Sequence, residues 1–360
     1  MKLLYITNAI NGSGGLERVL AIKASHLTDK LAYDVSILCL NDGDKTPFYT
    51  FSNKIKTYTI RVKGNPITYL WGYIKGIKKV VKQVKPDIIL VCDDGLKGFF
   101  IPRFLGKGKP IVYERHVSKL IDLPLSPNRF QMFFVALKWK LMDFLARDFN
   151  AFILLTNANQ KEWSHLKNLQ VISNPNSFDQ NLKADLSSKK VICVGKISVQ
   201  KGQDLLARAW EKVIKQFPDW ELHNYGKLDE TFLRKEDLPT NMFLHAPTKD
   251  IASKYKESSI YVLPSRYEGF GMVLIEAMSF GIPCVAFDCN YGPSDIITDG
   301  IDGYIVEKEN WNALASRIID LIENYNLRNE IGINAKESVK KYYPNHVLKQ
   351  WEKLFKNILQ

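Results

Sequence analysis

The sequence predicts an α/β protein of two domains, each a parallel sheet flanked by helices. Three observations predict it. The chain has 360 residues, whereas a single hydrophobic core stops growing at roughly 250 to 300. Short β-branched runs alternate with glycine or polar turns and helical periods, the pattern of βαβ units. The alternation breaks once, over a polar, low-order stretch at 173–188. The charge divides there too: residues 1–172 carry 26 basic and 13 acidic side chains, net +13, and residues 173–360 carry 24 and 25, net −1. With 46% hydrophobic and 24% charged residues, the chain has the composition of a folded globular protein.

In the first half the candidate strands are 3–7, 34–40, 88–92, 110–113 and 152–156. The first leads into Asn11-Gly12-Ser13-Gly14-Gly15-Leu16-Glu17-Arg18 and then a helix over 19–27. A strand, a glycine turn and a helix start aim backbone N–H groups at one point, where a phosphate can approach. The loop has neither the G-x-G-x-x-G spacing nor a Walker lysine, and a plain tight turn is the alternative.

Residues 70–85 hold five lysines and no acid, with apolar positions 70, 73, 74, 77, 80, 81 and 84. Helical spacing puts Lys75, Lys78, Lys79, Lys82 and Lys85 largely opposite them. Residues 128–147 interleave Phe130, Phe133, Phe134, Trp139, Leu141 and Phe144 with Lys138 and Lys140. Each stretch is either a core helix with a solvated basic face or an interface with anionic lipid. Asp93-Asp94 follows the strand at 88–92, but adjacent carboxylates leave one turn in different directions, so no metal is expected there. His116 lies just past the strand at 110–113, where a structural histidine is the common case.

In the second half the candidate strands are 190–194, 220–225, 241–245, 260–264, 283–286 and 303–306. Lys196 and Lys201 follow the first of these, so they project from the carboxyl edge of a sheet, where open α/β folds bind ligands. The most informative stretch is Leu263-Pro264-Ser265-Arg266-Tyr267-Glu268-Gly269-Phe270-Gly271-Met272-Val273-Leu274-Ile275-Glu276-Ala277-Met278. A strand ends at Pro264, a glycine loop opens, and a helix starts at that loop, which makes an anion-binding end. Glu276 falls among apolar neighbours, where an unpartnered carboxylate costs several kcal/mol, so it faces a polar ligand or a fixed donor. A helix cap for Glu268 and a salt bridge for Glu276 are the structural alternatives. A final helix, 346–359, follows the break Tyr343-Pro344-Asn345.

Glu268 and Glu276, in E-G-F-G-M-V-L-I-E after P-S-R-Y and before G-I-P, resemble the Glu-x7-Glu motif of the family-four retaining glycosyltransferases, which have the GT-B fold. Gly14-Gly15-Leu16-Glu17-Arg18 resembles that family's amino-terminal glycine loop. Val194-Gly195-Lys196-Ile197-Ser198-Val199-Gln200-Lys201-Gly202 resembles its V-G-R-L-x-x-x-K-G segment, with Lys196 where arginine is usual. That replaces a bidentate fork with a point charge.

The resemblance implies two Rossmann-like domains facing across a cleft. Residues 1–172, joined by a returning helix at about 340–360, would bind the acceptor, and residues 173–339 the nucleotide sugar. Glu276 would accept the ribose hydroxyls, and Glu268 would lie near the transferred sugar. The N–H groups of Gly269, Phe270 and Gly271 would meet that sugar and the diphosphate, with Gly14, Gly15 and Gly195 also at the donor. Lys196 and Lys201 would stabilise the leaving diphosphate, and His116 would orient the donor sugar. Residues 244–250 occupy the position that cradles the base, where Pro247 has no N–H and donors must come from Ala246 or Thr248. The wording of 288–297 resembles members that use UDP-hexoses or UDP-N-acetylhexosamines, with Gly292 and Asp295 candidates for the sugar pocket.

The function so implied is retaining transfer of a hexose or N-acetylhexosamine from a UDP-linked donor to a glycan or lipid-diphosphate-linked acceptor. The setting would be bacterial capsule, O-antigen or exopolysaccharide synthesis, with no metal or other cofactor. Two other functions fit the fold. One is a soluble glucan- or sucrose-type synthase or sugar-nucleotide epimerase. The other is a non-catalytic GT-B membrane partner subunit, which should have lost some of Gly15, Lys196, Lys201, Glu268 or Glu276. Nucleic acid is not an expected partner, because no helix-turn-helix, zinc-finger or RNP-like pattern accompanies the basic charge.

The five cysteines have no metal- or redox-type spacing, so buried thiols in a reducing compartment are expected. The amino terminus has too short an apolar run for a signal peptide, and no stretch nears the roughly 20 apolar residues of a membrane span. A cytoplasmic protein, with the inner face of the plasma membrane as a possible station, is the expectation.

Overall fold

Strands buried on both faces read as unbroken apolar runs, and these runs assemble into two wholly parallel sheets. The computed structural model describes residues 1–41, 45–106, 108–124, 128–178, 181–229 and 231–360. The chain divides into two units, Met1–Pro175 with Pro344–Gln360, and Asn176–Tyr343.

The first unit runs β1 (Lys2–Thr7), α1 (Gly15–Asp29), β2 (Asp34–Leu40), β3 (Lys56–Ile60), α2 (Pro66–Val84), β4 (Ile88–Cys92), α3 (Leu96–Phe99), α4 (Ile101–Leu105), β5 (Ile111–Glu114), α5 (Arg129–Ala146), β6 (Ala151–Leu154) and β7 (Leu169–Val171). Among the described residues its sheet has seven strands in the order β3-β2-β1-β4-β5-β6-β7. Alternate strand residues face opposite layers. Leu4, Ile6, Ile89, Val91 and Phe152 pack with Tyr73 and Ile77 of α2, Phe99 of α3, and Met142 and Leu145 of α5. Leu3, Tyr5, Ile88 and Leu90 pack with Leu20 and Leu27 of α1.

The second unit runs β8 (Lys190–Val194), α6 (Gln203–Gln216), β9 (Glu221–Tyr225), β10 (Met242–His245), α7 (Ile251–Lys256), β11 (Ile260–Leu263), α8 (Met272–Ser279), β12 (Cys284–Phe287), α9 (Pro293–Ile296), β13 (Tyr304–Val306), α10 (Trp311–Glu323) and α11 (Tyr325–Ser338). Its six strands, counted among the described residues, take the order β10-β9-β8-β11-β12-β13. The last helix, α12 (Pro344–Leu359), belongs to the first unit, where Val347, Trp351 and Phe355 join α1 on the sheet.

Several sequence expectations change. β3 and β7 escape the strand pattern because both are edge strands and only partly buried, so neither carries an apolar run. The stretch 173–188 is no low-order linker: Asn174, Asn176, Ala184 and Leu186 are buried, and the Ala184 N–H donates to Phe280 O at 2.9 Å. Asp179 and Gln180 within it lie outside the described residues. The unit boundary falls at 175/176 rather than 172/173. Residues 340–343 stay with the second unit, because Tyr342 O accepts from Asn176 N at 2.7 Å and the Tyr342 ring packs 5.6 Å from that of Phe270. All five cysteines are buried thiols. No helix among the described residues is long and apolar enough to cross a membrane.

Candidate active site

Open α/β sheets bind ligands at the carboxyl edge where the strand order reverses. In the second sheet that point lies between β8 and β11, neighbours in space although β9 and β10 intervene in sequence. The loops leaving these two strands carry Lys196 and Lys201 on one side and Glu268, Gly269 and Gly271 on the other. Lys201 Nζ lies 2.6 Å from Glu268 Oε1, and Ser265 Oγ donates to the same oxygen at 2.6 Å. Glu268 is only 6% exposed, so the pair is charge-assisted and screened little by water. Lys196 is exposed, with no carboxylate at ion-pair distance among the described residues.

Backbone contact sets this geometry. Residues 199–201 make a single 3-10 turn, and Gly202 follows at φ 68° to start α6. A Cβ on Gly202 would stand 2.0 Å from the carbonyl oxygen of Pro264. Arg266 then ties the two loops: Nη1 donates to Val199 O at 2.7 Å and Asp204 Oδ1 at 2.8 Å, and Nη2 to Asp204 Oδ2 at 2.7 Å. Partial burial pushes the Asp204 carboxyl up, but the Arg266 fork outweighs it and holds the group below its ordinary value. Gly202→Ala is therefore expected to cost about 1–3 kcal/mol in loop strain and to displace Lys201. Thermal unfolding together with turnover checks it, and a variant unchanged in both would show that the loops are not coupled.

Gly271, at φ 97°, opens α8. Among the described residues the backbone N–H groups of Gly269, Phe270 and Gly271 donate to no protein acceptor, which leaves three donors at a helix start. The segment 288–297 clasps this loop. Glu268 N donates to Asn290 O at 3.0 Å, Tyr291 N donates to Glu268 O at 2.9 Å, and a Cβ on Gly292 would stand 1.9 Å from Phe270 O. Asp295 accepts through its backbone oxygen from the Tyr342 hydroxyl at 3.3 Å. Glu276 is fully buried, and its two carboxylate oxygens accept from Ser177 Oγ at 2.9 Å and Tyr255 OH at 3.2 Å. The fixed donors demanded by its apolar setting are thus protein hydroxyls, and Ser177, the less buried of the two, lies nearer the solvent.

Beyond β10, the N–H groups of Ala246 and Thr248 donate to no acceptor among the described residues. The His245 ring stacks on Tyr225 with centroids 4.5 Å apart. Gly195 sits at φ 156°, with its carbonyl oxygen 1.9 Å from where a Cβ on Gly226 would be.

In the first unit, the loops after β1, β4 and β5 share the carboxyl edge of the sheet. Gly12 and Gly14 lie against the Glu17 carboxylate, since a Cβ on either would approach it to 2.4 or 2.6 Å. Gly15 faces open space. The expected anion position at this helix start is thus bordered by a carboxylate of the protein itself. Asp93 and Asp94 diverge as expected. Asp93 Oδ1 accepts from Asn8 Nδ2 at 2.8 Å and Gly95 N at 2.9 Å, while Asp94 Oδ1 accepts from His116 N at 3.1 Å.

His116 is held by a buried ionic group that the sequence pattern did not reveal. Glu114 forms a salt bridge with Lys23 of α1, and His116 Nε2 lies 3.5 Å from Glu114 Oε2. The Lys23 ammonium sits 4.1 Å from the centroid of the Trp351 ring of α12. Burial alone would raise the Glu114 carboxyl, but Lys23, aided by His116, outweighs it and sets Glu114 at about 2. Cys92, Glu114 and His116 bring possible ligand atoms within 4.8 Å of one another. The site does not suit a cation: Lys23 already occupies the Glu114 carboxylate, and burial drives the Cys92 thiol far above its ordinary value, so it keeps its proton.

The structure therefore brings Lys201, Glu268, Gly269, Phe270 and Gly271 together and places Lys196 and Gly195 on the adjoining loop. Ser265, Arg266, Ser177 and Tyr255 support them. Of these, only Ser265 and Arg266 carried a signal, their place beside Glu268 in the P-S-R-Y-E run. Lys23, a lone basic residue inside an apolar helix face, was the signal for the buried pair.

A family model described as "Glycosyltransferase Family 4" matches residues 13–176, and one described as "Glycosyl transferases group 1" matches residues 175–338. The amylovoran biosynthesis glycosyltransferase AmsD of Erwinia amylovora is 29% identical over 97% of this chain and 98% of that protein. A Campylobacter jejuni α-1,4-N-acetyl-D-galactosaminyltransferase, named for a GalNAc-bearing diNAcBac-PP-undecaprenol, is 22% identical over 99% of each chain. Among solved structures, a point mutant of Staphylococcus aureus TarM in complex with fondaparinux, α-GlcNAc-glycerol and UDP superposes with a TM-score of 0.79. It is 18% identical over 98% of this chain and 99% of that one, a likeness of fold.

Proposed function

From the premise that this chain belongs to the family 4 glycosyltransferases and has their GT-B fold, we propose that it catalyses retaining transfer from a nucleoside diphosphate sugar. The donor is a UDP-linked hexose or N-acetylhexosamine, and the acceptor is a glycan or a glycan carried on a lipid diphosphate. The setting is bacterial surface-polysaccharide synthesis. UDP in the TarM complex and the undecaprenol diphosphate in the Campylobacter enzyme's name support the choice of donor and acceptor. The cytoplasm, where nucleotide sugars are made, is the proposed compartment.

The observation that carries the proposal is the Lys201–Glu268 pair beside the three undonated N–H groups of Gly269, Phe270 and Gly271. In the reaction, the bond from the sugar's anomeric carbon to the β-phosphate oxygen breaks. The acceptor hydroxyl oxygen bonds to that carbon on the same face, and its proton passes to the leaving phosphate oxygen. Negative charge grows on the diphosphate, so Lys201, Lys196 and the α8 start stabilise the transition state more than the ground state. Glu268 holds Lys201 and faces the sugar hydroxyls. Glu276 takes the ribose hydroxyls in place of the Ser177 hydroxyl, and Ala246 and Thr248 N–H groups meet the base. Gly14, Gly15 and Gly195 keep Cβ atoms away from the donor, Gly292 and Asp295 border the sugar, and His116 orients it.

Two ammoniums and a helix start supply the positive charge that a divalent metal supplies elsewhere, so the reaction needs no metal. Purified protein offered UDP-, GDP- and ADP-sugars is expected to release nucleotide fastest from a UDP-sugar, and to be unaffected by EDTA. Glu276→Ala should raise KM at least about ten-fold, the loss of a charged hydrogen-bonding partner. An unchanged KM for the donor in Glu276→Ala, or an inverted anomer in the product, would overturn the assignment.

A further inference from the structure

We propose that the face of the first unit built from α2 and α5 docks on an anionic lipid bilayer. It rests on the transferase proposal only for what it brings near the membrane, a lipid-borne acceptor. The two helices lie in one layer of the first sheet together with α3 and α4, since all four contribute to the same core as Leu4, Ile6, Ile89 and Val91. α2 leads from the end of β3 to the start of the parallel β4, and α5 from β5 to β6, so both run back against the strands. Their first turns therefore stand at the carboxyl edge, where the glycine loop and His116 also lie.

Those first turns are apolar and exposed. α5 buries only Met142, Leu145 and Ala146, all in its second half, and exposes Phe130, Met132, Phe133, Phe134, Leu137 and Phe144. Phe130 is 71% exposed, and Phe130 and Phe134 touch edge to face at 4.7 Å, as do Phe133 and Phe134 at 5.7 Å. α2 adds Ile67, Leu70 and Trp71, the last 73% exposed. Leu70 thus leaves the core stripe that its spacing predicts. A patch of this kind on a water-facing surface marks an interaction site.

The surrounding charge selects the occupant. Lys75, Lys78, Lys79 and Lys82 of α2 and Arg129 and Lys140 of α5 are exposed. The one acid of the two helices, Asp143, is occupied by Lys119 at 2.6 Å. A second copy of the chain placed on this face would oppose lysine to lysine. Aromatic side chains set among lysines suit a headgroup layer of negative charge, with the rings at the acyl boundary and the ammoniums among the phosphates.

Co-sedimentation of the full chain tests it, with vesicles of phosphatidylcholine alone and with phosphatidylglycerol added. The protein should pellet with the mixed vesicles, remain in solution with the neutral ones, and come off as salt rises. Phe133→Ser/Phe134→Ser should weaken binding about ten-fold or more, and Lys78→Gln/Lys79→Gln about ten-fold. Both should leave vesicle-free donor hydrolysis unchanged, since these residues lie outside the site and are already exposed. Pelleting indifferent to lipid charge, or none, overturns the proposal. So does a stable dimer in light scattering that Phe133→Ser/Phe134→Ser dissociates. Vesicle binding without hydrolysis of any nucleotide sugar would sink the transferase proposal alone.

Discussion

Lys201→Ala is expected to lower kcat for donor hydrolysis and for transfer by about a hundred-fold or more, and to lower the melting temperature as well, because it strands the buried Glu268 carboxylate. The lysine stabilises charge that appears only as the diphosphate leaves, and losing one such donor costs about 3 kcal/mol of barrier. Its partner Glu268 keeps the Ser265 hydroxyl at 2.6 Å, which offsets only part of the stranded charge, so Lys201→Ala/Glu268→Gln should regain stability without regaining kcat. Lys201→Arg should recover little, because a planar fork cannot replace a point charge in this short contact. Because Lys201 and Glu268 act as one unit, Lys201→Ala/Glu268→Gln should fall well short of the sum of its single effects. Full additivity in that cycle, or a Lys201→Ala enzyme within a few-fold of wild type, would show that the pair is structural only.

Lys23→Met should destabilise the first unit by about 3–5 kcal/mol, the loss seen when one partner of a buried ion pair is removed and the other is stranded. Glu114 would have no route to water and would take up a proton instead. Lys23→Met/Glu114→Leu, which removes both charges, should return most of the stability. Chemical denaturation of the three proteins checks both statements, and a Lys23→Met loss under about 1 kcal/mol would mean the pair is solvated. The same pair fixes a pH dependence. The Glu114 carboxyl is set at about 2 in the fold and titrates at about 4.3 in an unfolded chain. Its contribution is thus present above about pH 4.3 and is lost as the pH falls toward 2. Glu114→Gln should flatten that acid limb.

The two cases show which parts of the molecule were legible beforehand. Lys201 and Glu268 could be singled out because each sits in a run whose glycines and flanking strand define a loop at the carboxyl edge of a sheet. Their contact could not. They are 67 residues apart and meet because β8 and β11 pair across the switch point and Gly202 lets the loops touch. Glu276 was recognisable as a buried carboxylate needing partners, but Ser177 and Tyr255 lie on other elements, and no spacing links them. The edge strands β3 and β7 carry no such mark, because half-exposed strands of mixed polarity lack the apolar run of the other strands. On α5 the helical pattern was visible, but which rings would be buried was not, since that depends on how much of the helix the sheet can cover.

What the sequence determined by itself is the set of local facts: parallel-sheet strands, glycine loops at helix starts, the chemistry offered at each loop, and a charge excess confined to one half. These depend on neighbours within a few residues, where steric and hydrogen-bonding rules act directly. What only the tertiary structure decided is the partnering of distant groups: Lys201 with Glu268, Arg266 with Asp204, Lys23 with Glu114 and Trp351. It also decided that the phenylalanines of α5 stay outside. Such pairings follow from strand order and layer packing, and the energy of a buried charge or an exposed ring is set by its surroundings in space.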